Sequence, residues 1–243
     1  MRIAELAGLT IRIVGGIDGQ GGGTGPVVVL MHGFGAPGDD LVVLAKMLRL
    51  PREVRFVFPE APLPLPPSMG GFGRMWWPID LERLERAMAT GEPRDMREED
   101  PPGLAEARER VVALLAEIRS VFGVGPGGLV LGGFSQGSML ACDILFRTAE
   151  DLAGLVILSG TLLARDAWTR GMTQRVGLPV FQSHGTHDML LPFGIASELS
   201  KELEARGLAA TFTPFRGGHE IPPPVLSALE AFLRRTLPLS AAD

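Results

Sequence analysis

Short apolar runs alternate along the chain with stretches that repeat apolar residues every three or four positions. The runs are rich in β-branched residues and predict strands at residues 9–14, 27–31, 54–58, 129–134, 155–158, 179–183 and 210–215. Residues 104–122 carry one apolar stripe, which predicts an amphipathic helix, and residues 195–203 and 225–233 repeat the pattern. Strands that alternate with helices indicate the α/β class, with a mostly parallel twisted sheet and helices on both faces.

The strands differ in how continuous their apolar runs are. Residues 27–31 and 129–134 are almost wholly apolar, which fits a sheet buried on both faces. Residues 9–14 alternate more, and we interpret them as an antiparallel edge strand followed by a flexible, hairpin-like connection at residues 19–25. We interpret residues 1–243 as a single domain, although a chain of this length could also form two small ones.

Two segments break the alternation of strands and helices. Residues 60–78 are rich in proline and glycine, yet they carry many large apolar side chains that require burial. This segment predicts either a long loop against the core or the wall of a substrate pocket. Residues 81–103 are strongly charged, and we interpret them as a solvated helix and loop, with a lid over the site as the alternative.

Composition and charge exclude several classes of protein. With 46% apolar and 21% charged residues, the chain suits a globular protein with a sizeable core. A net charge of −5 without a Lys or Arg cluster argues against nucleic-acid binding. Cys142 is the only cysteine, so no intramolecular disulfide can form. The amino terminus lacks the pattern of a signal peptide, and no run approaches the ~18 apolar residues of a membrane span, so we expect a cytoplasmic protein. Its oligomeric state, monomer or homodimer, is left open by the sequence.

The motif Gly-Phe-Ser-Gln-Gly at residues 133–137 carries the candidate chemistry. It follows a predicted strand and precedes a predicted helix, which is the setting of a nucleophile elbow. Its two glycines allow neighbouring backbone to pass close to a strained serine. Ser135 is therefore the predicted nucleophile of a hydrolase.

A serine nucleophile needs a histidine base and a carboxylate that orients the base. In the chain order typical of this elbow the acid precedes the histidine, and Asp188 and His219 both lie in loops after predicted strands. His187 is the competing base and Asp166 the alternative acid. His32 and His184 stand at the ends of buried strands and are interpreted as structural.

The sequence also offers an oxyanion hole. The residues Met-His-Gly-Phe-Gly at positions 31–35 directly follow a predicted strand, and the expected donors are the backbone amides of Phe34 and Gln136. One such donor contributes ~3 to 4 kcal/mol to transition-state stabilisation. No phosphate-binding loop, HExxH motif or metal-ligand spacing is found, so no cofactor and no metal are expected.

Taken in order, these motifs, together with Phe-Pro-Glu-Ala-Pro at 58–62 and Met-Trp-Trp-Pro-Ile-Asp at 75–80, give a chain that resembles the phospholipase/carboxylesterase family. The resemblance covers nearly the whole chain and implies the α/β-hydrolase fold. It further implies that Ser135, Asp188 and His219 form the triad, that Phe34 and Gln136 supply the oxyanion hole, and that the Trp-containing loop borders the acyl pocket. The candidate substrate-binding side chains are Leu65, Met75, Trp76, Trp77, Met189 and Leu190.

Departures from the family pattern bear on the substrate. Residues 36–38 read Ala-Pro-Gly where the family's thioesterases typically carry an Asp-Thr/Ser-Gly turn, and Glu60 stands where they have histidine. The insertion at residues 81–103 also looks longer. We therefore expect a carboxylesterase for small-molecule esters with short to medium acyl chains. A lysophospholipase or acyl-protein thioesterase is the first alternative, and a non-catalytic binding protein of the same fold is the second.

Overall fold

A computed structural model describes residues 1–69, 71–90 and 95–240. Residue 70 of the predicted pocket loop and residues 91–94 of the predicted insertion lie outside the described residues. The strands are β1 (Arg2–Leu6), β2 (Leu9–Gly15), β3 (Val27–Met31), β4 (Arg55–Pro59), β5 (Leu63–Pro64), β6 (Arg74–Met75), β7 (Leu129–Phe134), β8 (Gly154–Leu158), β9 (Pro179–Gly185) and β10 (Ala209–Phe215). The helices are α1 (Leu44–Met47), α2 (Leu81–Thr90), α3 (Leu104–Phe122), α4 (Gln136–Arg147), α5 (Arg165–Met172), α6 (Phe193–Ala205) and α7 (Pro223–Thr236).

Eight of the strands form one sheet in the order β1-β2-β4-β3-β7-β8-β9-β10. From β4 to β10 all neighbours pair in parallel, so these strands end at the same edge. The predicted α/β class and the mostly parallel sheet are confirmed. The parallel strands have their carboxyl ends at one edge, where α/β proteins place their ligands.

The prediction of an edge strand at residues 9–14 is wrong in one respect. That strand, β2, is antiparallel as expected, but β1 pairs with it on the outside and is the true edge. Ala7 and Gly8 make the two-residue turn between them, with φ values of 50° and 70°. Strand β1 is largely solvent-exposed and therefore carries little apolar signal. The connection at residues 19–25 is not a hairpin, because β4 lies between β2 and β3.

The side chains of β3 show how the sheet divides the core. Val27, Val29 and Met31 belong to an apolar cluster that includes residues of α3, α4, α5 and α6, whereas Val28 and Leu30 belong to a second cluster with α1 and α7. Alternate residues of a strand point to opposite faces, so helices cover both sides of the sheet. No helix within the described ranges combines the length and the apolar character needed to cross a membrane.

Candidate active site

Ser135 lies at the sharp turn between β7 and α4, at the carboxyl end of a central strand. Its φ of 52° and ψ of −118° place the backbone in a region that residues other than glycine rarely adopt. The Ser135 amide donates a hydrogen bond of 2.8 Å to the carbonyl oxygen of Leu158 in the neighbouring strand β8. The sheet thus holds a strained serine at its edge, in the geometry of a nucleophile elbow.

The two glycines of the elbow motif are required by close backbone contacts. A Cβ atom on Gly137 would lie 2.2 Å from the carbonyl oxygen of Met31, and one on Gly133 would lie 2.4 Å from the same oxygen. Neither contact is sterically possible without movement of the backbone. The start of α4 therefore packs directly on the end of β3, which brings the loop after β3 beside Ser135.

His219 and Asp188 are joined by a short hydrogen bond. The Nδ1 atom of His219, in the loop after β10, lies 2.7 Å from Oδ2 of Asp188, in the loop after β9. Because an ionised carboxylate only accepts hydrogen bonds, Nδ1 carries the proton and Nε2 is left with a free lone pair. The other oxygen of Asp188 accepts bonds of 2.9 Å from the amides of Leu190 and Leu191.

The carboxyl group of Asp188 is ionised despite its burial. Burial by itself raises the pKa of Asp188, but the hydrogen bond and the charge of His219, with the amides of Leu190 and Leu191, outweigh it. The pKa is lowered overall, so Asp188 is charged at neutral pH and can stabilise a protonated His219.

Ser135 and His219 line the same cavity. The described residues show no hydrogen bond between Ser135 Oγ and the imidazole of His219. In proteins without a bound substrate, this contact is often long and tightens only when the substrate binds. The ring of Phe134 packs against that of His219, with centroids 4.7 Å apart.

The other histidines have different surroundings. His187 is exposed, and its Nδ1 contacts the hydroxyl of Thr186 at 3.2 Å. His32 is buried; its Nδ1 faces the Gly33 carbonyl oxygen at 2.8 Å and its Nε2 accepts from the Ala61 amide at 3.0 Å. This pair of contacts suits a neutral ring, and burial lowers the pKa of His32.

His184 is also buried and lies directly beside the proposed acid. Its Nε2 is 2.8 Å from the Leu191 carbonyl oxygen and 3.3 Å from Oδ2 of Asp188. Both neighbours are acceptors, so Nε2 carries the hydrogen. Burial lowers the pKa of His184, which keeps the ring neutral. The role of His184 is a structural one that supports the loop holding Asp188.

The alternative acid Asp166 and the buried carboxylate Asp143 have surroundings that do not include His219. Asp166 is exposed on α5. Asp143 is fully buried and accepts a bond of 2.8 Å from the indole nitrogen of Trp168 and another from Arg108. Among the candidate carboxylates, Asp188 is the one bonded to His219.

The amides predicted to bind an oxyanion are both unpaired. Within the described part of the chain, the backbone N–H groups of Phe34 and Gln136 have no hydrogen-bond partner, and both residues line the cavity. Phe34 follows β3 and Gln136 is the first residue of α4, where the free amides and the helix dipole favour negative charge. These two donors suit an oxygen anion formed beside Ser135.

The side chain of Gln136 has a further role that the sequence did not reveal. Its Oε1 accepts a bond of 2.9 Å from the Trp76 amide, and its Nε2 donates one of 2.8 Å to the Trp77 carbonyl oxygen. The indole of Trp76 donates to the His32 carbonyl oxygen at 3.0 Å. The Trp-containing segment is therefore tied to the elbow and to the loop after β3 by buried hydrogen bonds.

Glu60 forms an ion-pair cluster behind the loop after β3. It lies 3.0 Å from Arg12 and 3.1 Å from Arg74. Arg12 also donates to the Gly38 carbonyl oxygen at 3.1 Å, and the Arg74 backbone bonds to Gly35 and Ala36. The residue that departs from the family pattern thus helps to hold the loop that carries Phe34.

The cavity beside Ser135 has a volume of about 140 Å³. Of the predicted substrate-binding side chains, Trp77 and Leu190 line it. Trp76 and Leu65 are buried elsewhere, Met75 lies in β6 outside the lining, and Met189 is 70% exposed. Besides Ser135, His219 and the proposed oxyanion residues, the lining also contains Gly33, Ile79, Met96, Phe134, Met139 and Leu191. Neither methionine stands out from a periodic pattern, because α4, which carries Met139, is buried from Gln136 to Phe146, and Met96 lies in a charged loop.

One edge of the mostly parallel sheet carries the elbow, the paired imidazole and carboxylate, and the free amides. Together these features define a hydrolase of the α/β-hydrolase class. A sequence model described as phospholipase/carboxylesterase matches residues 20–237. Acyl-protein thioesterase 1 of Emericella nidulans is 32% identical over 222 residues, which cover 87% of this chain and 90% of that protein. Lysophospholipase-like protein 1 of Mus musculus is 25% identical and covers 77% of this chain and 75% of its own.

Solved structures of esterases share this fold. The crystal structure of esterase PE8 superposes with a TM-score of 0.78 at 27% identity, covering 98% of this chain and 100% of that one. The Bacillus cereus carboxylesterase superposes with a TM-score of 0.70 at 20% identity, covering 94% and 95%. The chain belongs to the phospholipase/carboxylesterase family and is a carboxylic ester hydrolase. The resemblance noted from the sequence is confirmed.

Proposed function

We propose that this protein is a serine carboxylesterase that cleaves small esters with short acyl chains through an acyl-enzyme intermediate. The observation that carries the proposal is the 2.7 Å bond between His219 and Asp188 beside a cavity that Ser135 also lines. The carboxylate directs Nε2 of His219 to be the free base, and the elbow holds the serine hydroxyl at the same sheet edge.

In the proposed mechanism, Nε2 of His219 takes the proton of Ser135 as its oxygen attacks the ester carbonyl carbon. The carbonyl oxygen becomes an anion that accepts hydrogen bonds from the amides of Phe34 and Gln136. Asp188 stabilises the imidazolium, which then gives its proton to the departing alcohol. Water, deprotonated by His219, attacks the acyl-serine in the same way and releases the acid.

The size of the cavity supports a short acyl chain. An apolar cavity of about 150 Å³ accommodates a molecule the size of benzene. The cavity of about 140 Å³ beside Ser135 is therefore suited to an acyl group of about six carbons or a phenyl ring. Its wall is largely apolar, with Trp77, Met139 and Leu191 among the lining residues, so an aliphatic or aryl acyl group is favoured over a charged one.

The experiment is labelling with a fluorophosphonate probe, followed by peptide mapping and kinetics on 4-nitrophenyl butanoate. We expect the probe to modify Ser135, and Ser135→Ala to reduce kcat by about 10⁶. Ser227→Ala, on the exposed face of α7, serves as the matched serine control and should keep normal labelling and turnover. Labelling at another residue, or turnover that survives in Ser135→Ala, would refute the proposal.

Thioesters of the same short acyl groups are the second candidate substrates, because several similar proteins carry the name acyl-protein thioesterase 1. Kinetics with matched butanoyl and dodecanoyl oxygen esters and thioesters distinguish a carboxylesterase from a thioesterase. A higher kcat/KM for dodecanoyl than for butanoyl thioesters would favour the thioesterase and contradict the short-chain assignment.

A further inference from the structure

Met96 is the only buried side chain in the described segment of residues 95–100, which we call the closing segment. It is 5% exposed, whereas its neighbours are all charged and partly or fully exposed to solvent. The Met96 side chain lines the cavity beside Ser135 and belongs to the core cluster that contains Trp77 and Met139. A segment that is otherwise polar thus contributes one apolar side chain to the cavity wall.

Backbone hydrogen bonds attach the closing segment to the start of α5. The Arg165 amide donates to the Arg97 carbonyl oxygen at 2.8 Å, and the Ala164 amide donates to that of Glu99 at 2.9 Å. The closing segment itself contains neither a helix nor a strand. Its position therefore depends on these two bonds, on a bond of 2.8 Å that the Asp95 carbonyl oxygen accepts from Arg83 of α2, and on its own side chains.

Ion pairs from several helices hold the same segment. Glu198 of α6 accepts a bond of 2.7 Å from Arg97 and also pairs with Arg165 of α5. At the carboxyl end of the closing segment, Arg147 of α4 lies 2.9 Å from the carboxylate of Asp100. Charges of this kind are partly exposed, so salt weakens them and each contributes little alone. Together they fix where Met96 stands.

Three other apolar lining residues are less free to change. Trp77, Met139 and Leu191 are each at least as buried as Met96, and they pack into the core or beside the proposed catalytic loop. Met96 reaches the cavity from a surface segment, and its thioether chain is unbranched and adaptable. Shortening Met96 therefore enlarges the cavity with less disturbance to the core than shortening any of these three side chains.

We propose that Met96 limits the length of the acyl chain, and that Glu198 positions it by pairing with Arg97 and Arg165. The proposal rests on the proposed function, because it takes the cavity beside Ser135 as the acyl site. Met96→Ala removes the Cγ, Sδ and Cε atoms and leaves room for a longer chain. A ring at this position, as in Met96→Phe, occupies more of the cavity and excludes chains that the native enzyme accepts.

The test is the kcat/KM profile on 4-nitrophenyl esters from acetate to dodecanoate. We expect Met96→Ala to raise the ratio of octanoate to butanoate hydrolysis by at least about tenfold, since one methylene in an apolar pocket changes kcat/KM by about that factor or more. Met96→Phe should lower the same ratio. Met47→Ala, an exposed methionine of α1, is the matched control and should leave the profile unchanged.

A second pair of variants tests the positioning role of Glu198. Glu198→Gln removes the charge that pairs with two arginines, and we expect a two- to threefold rise in the same ratio. Glu202→Gln on the same helix, which loses only a pair with Arg206, should not change it. In 1 M salt the native enzyme should approach the Glu198→Gln profile, because the ion pairs are screened.

Unchanged profiles in Met96→Ala and Met96→Phe, with acetate hydrolysis retained, would overturn this inference while leaving the proposed function intact. If Met96→Ala does not fold, an unchanged ratio in Glu198→Gln and in Met96→Phe overturns it instead. Activity that survives in Ser135→Ala would instead refute the proposed function itself. The two failures are therefore distinguishable.

Discussion

The proposed catalytic edge and the wall of the neighbouring cavity are built by different means. At the edge, Ser135 and the free amides are positioned by backbone geometry, through a positive φ at Ser135 and through two glycines at which a Cβ atom would collide with the Met31 carbonyl oxygen. At the wall, Met96 stands on a segment that two backbone hydrogen bonds and partly exposed ion pairs attach to neighbouring helices, and its side chain alone reaches the cavity. A Cβ atom at Gly137 or Gly133 would lie 2.2 or 2.4 Å from the Met31 carbonyl oxygen, so these positions admit almost no change, whereas a flexible side chain can be replaced by another of similar polarity.

This difference indicates which residues determine the reaction and which determine the preferred substrate. We expect changes at the edge to remove turnover or stability, and changes at the wall to alter which ester is preferred. The following predictions test the edge, in order of decreasing effect, against the change in chain length expected for Met96.

Among these predictions, the largest effect is expected for Asp188→Asn. The new amide nitrogen would face Nδ1 of His219 and Nε2 of His184, both of which carry hydrogens. His219 would then adopt the wrong tautomer, and kcat on a short ester should fall by about 10⁴ at pH 7.

Asp166→Asn is the control for this change, because Asp166 is an exposed carboxylate outside the site. It should keep native kcat. If Asp166→Asn lost activity and Asp188→Asn kept it, the assignment of the acid would be wrong.

Gly137→Ala should cost about 3 kcal/mol of unfolding free energy, or prevent folding, because its Cβ would lie 2.2 Å from the Met31 carbonyl oxygen. Urea unfolding measures the effect. Gly194→Ala in α6 is the matched control; nothing lies within 4 Å of its new Cβ, so it should stabilise the helix slightly. Equal stability of the two variants would contradict the close packing of α4 on β3.

Gln136→Ala tests the link between the edge and the wall. The variant keeps the backbone amide proposed for the oxyanion but leaves the Trp76 amide and the Trp77 carbonyl without their buried partner. We expect a loss of about 2 kcal/mol in unfolding free energy. Gln174→Ala, at an exposed position, should have no measurable effect. A Gln136→Ala protein as stable as Gln174→Ala would mean that these bonds do not hold the Trp segment.

The smallest effect concerns pH. Burial holds the pKa of His184 below its ordinary value of about 6.5, so the unfolded chain binds a proton there that the folded protein does not. Stability is therefore lost as pH falls below about 6.5, by at most ~1.4 kcal/mol per pH unit from this residue.

His184→Gln should lower the slope of unfolding free energy against pH between pH 6.5 and 5, whatever its effect on stability at pH 7. Urea unfolding at several pH values gives this slope for the native protein and for His184→Gln. The same slope in both proteins would show that His184 does not titrate differently in the folded and unfolded states.

Much of the fold was predictable because buried strands and amphipathic helices leave periodic patterns. The stripe through Val111, Leu114, Leu115, Ile118 and Phe122 is buried in α3 as predicted. Strand β1 was missed, since a solvent-exposed edge strand has no such pattern. The site residues named at strand ends lie at one edge, because parallel strands in neighbouring positions end together.

The wall of the cavity was predicted less well. Trp76 and Trp77 are adjacent and equally apolar, yet only Trp77 lines the cavity while Trp76 bonds to Gln136 and His32. Met189 was expected to bind substrate but is exposed. A loop has no period from which the direction of a side chain can be inferred, so burial in a loop depends on contacts that are distant in sequence.

By itself, the sequence determined the α/β class, the family and the order of Ser135, Asp188 and His219, because these depend on local patterns and on chemistry that only certain residue types can perform. Tertiary structure alone decided that His184 touches Asp188, that Gln136 bonds to the Trp segment, and that Met96 lines the cavity. Each of these is a contact between residues brought together by folding, and no local pattern encodes such a contact.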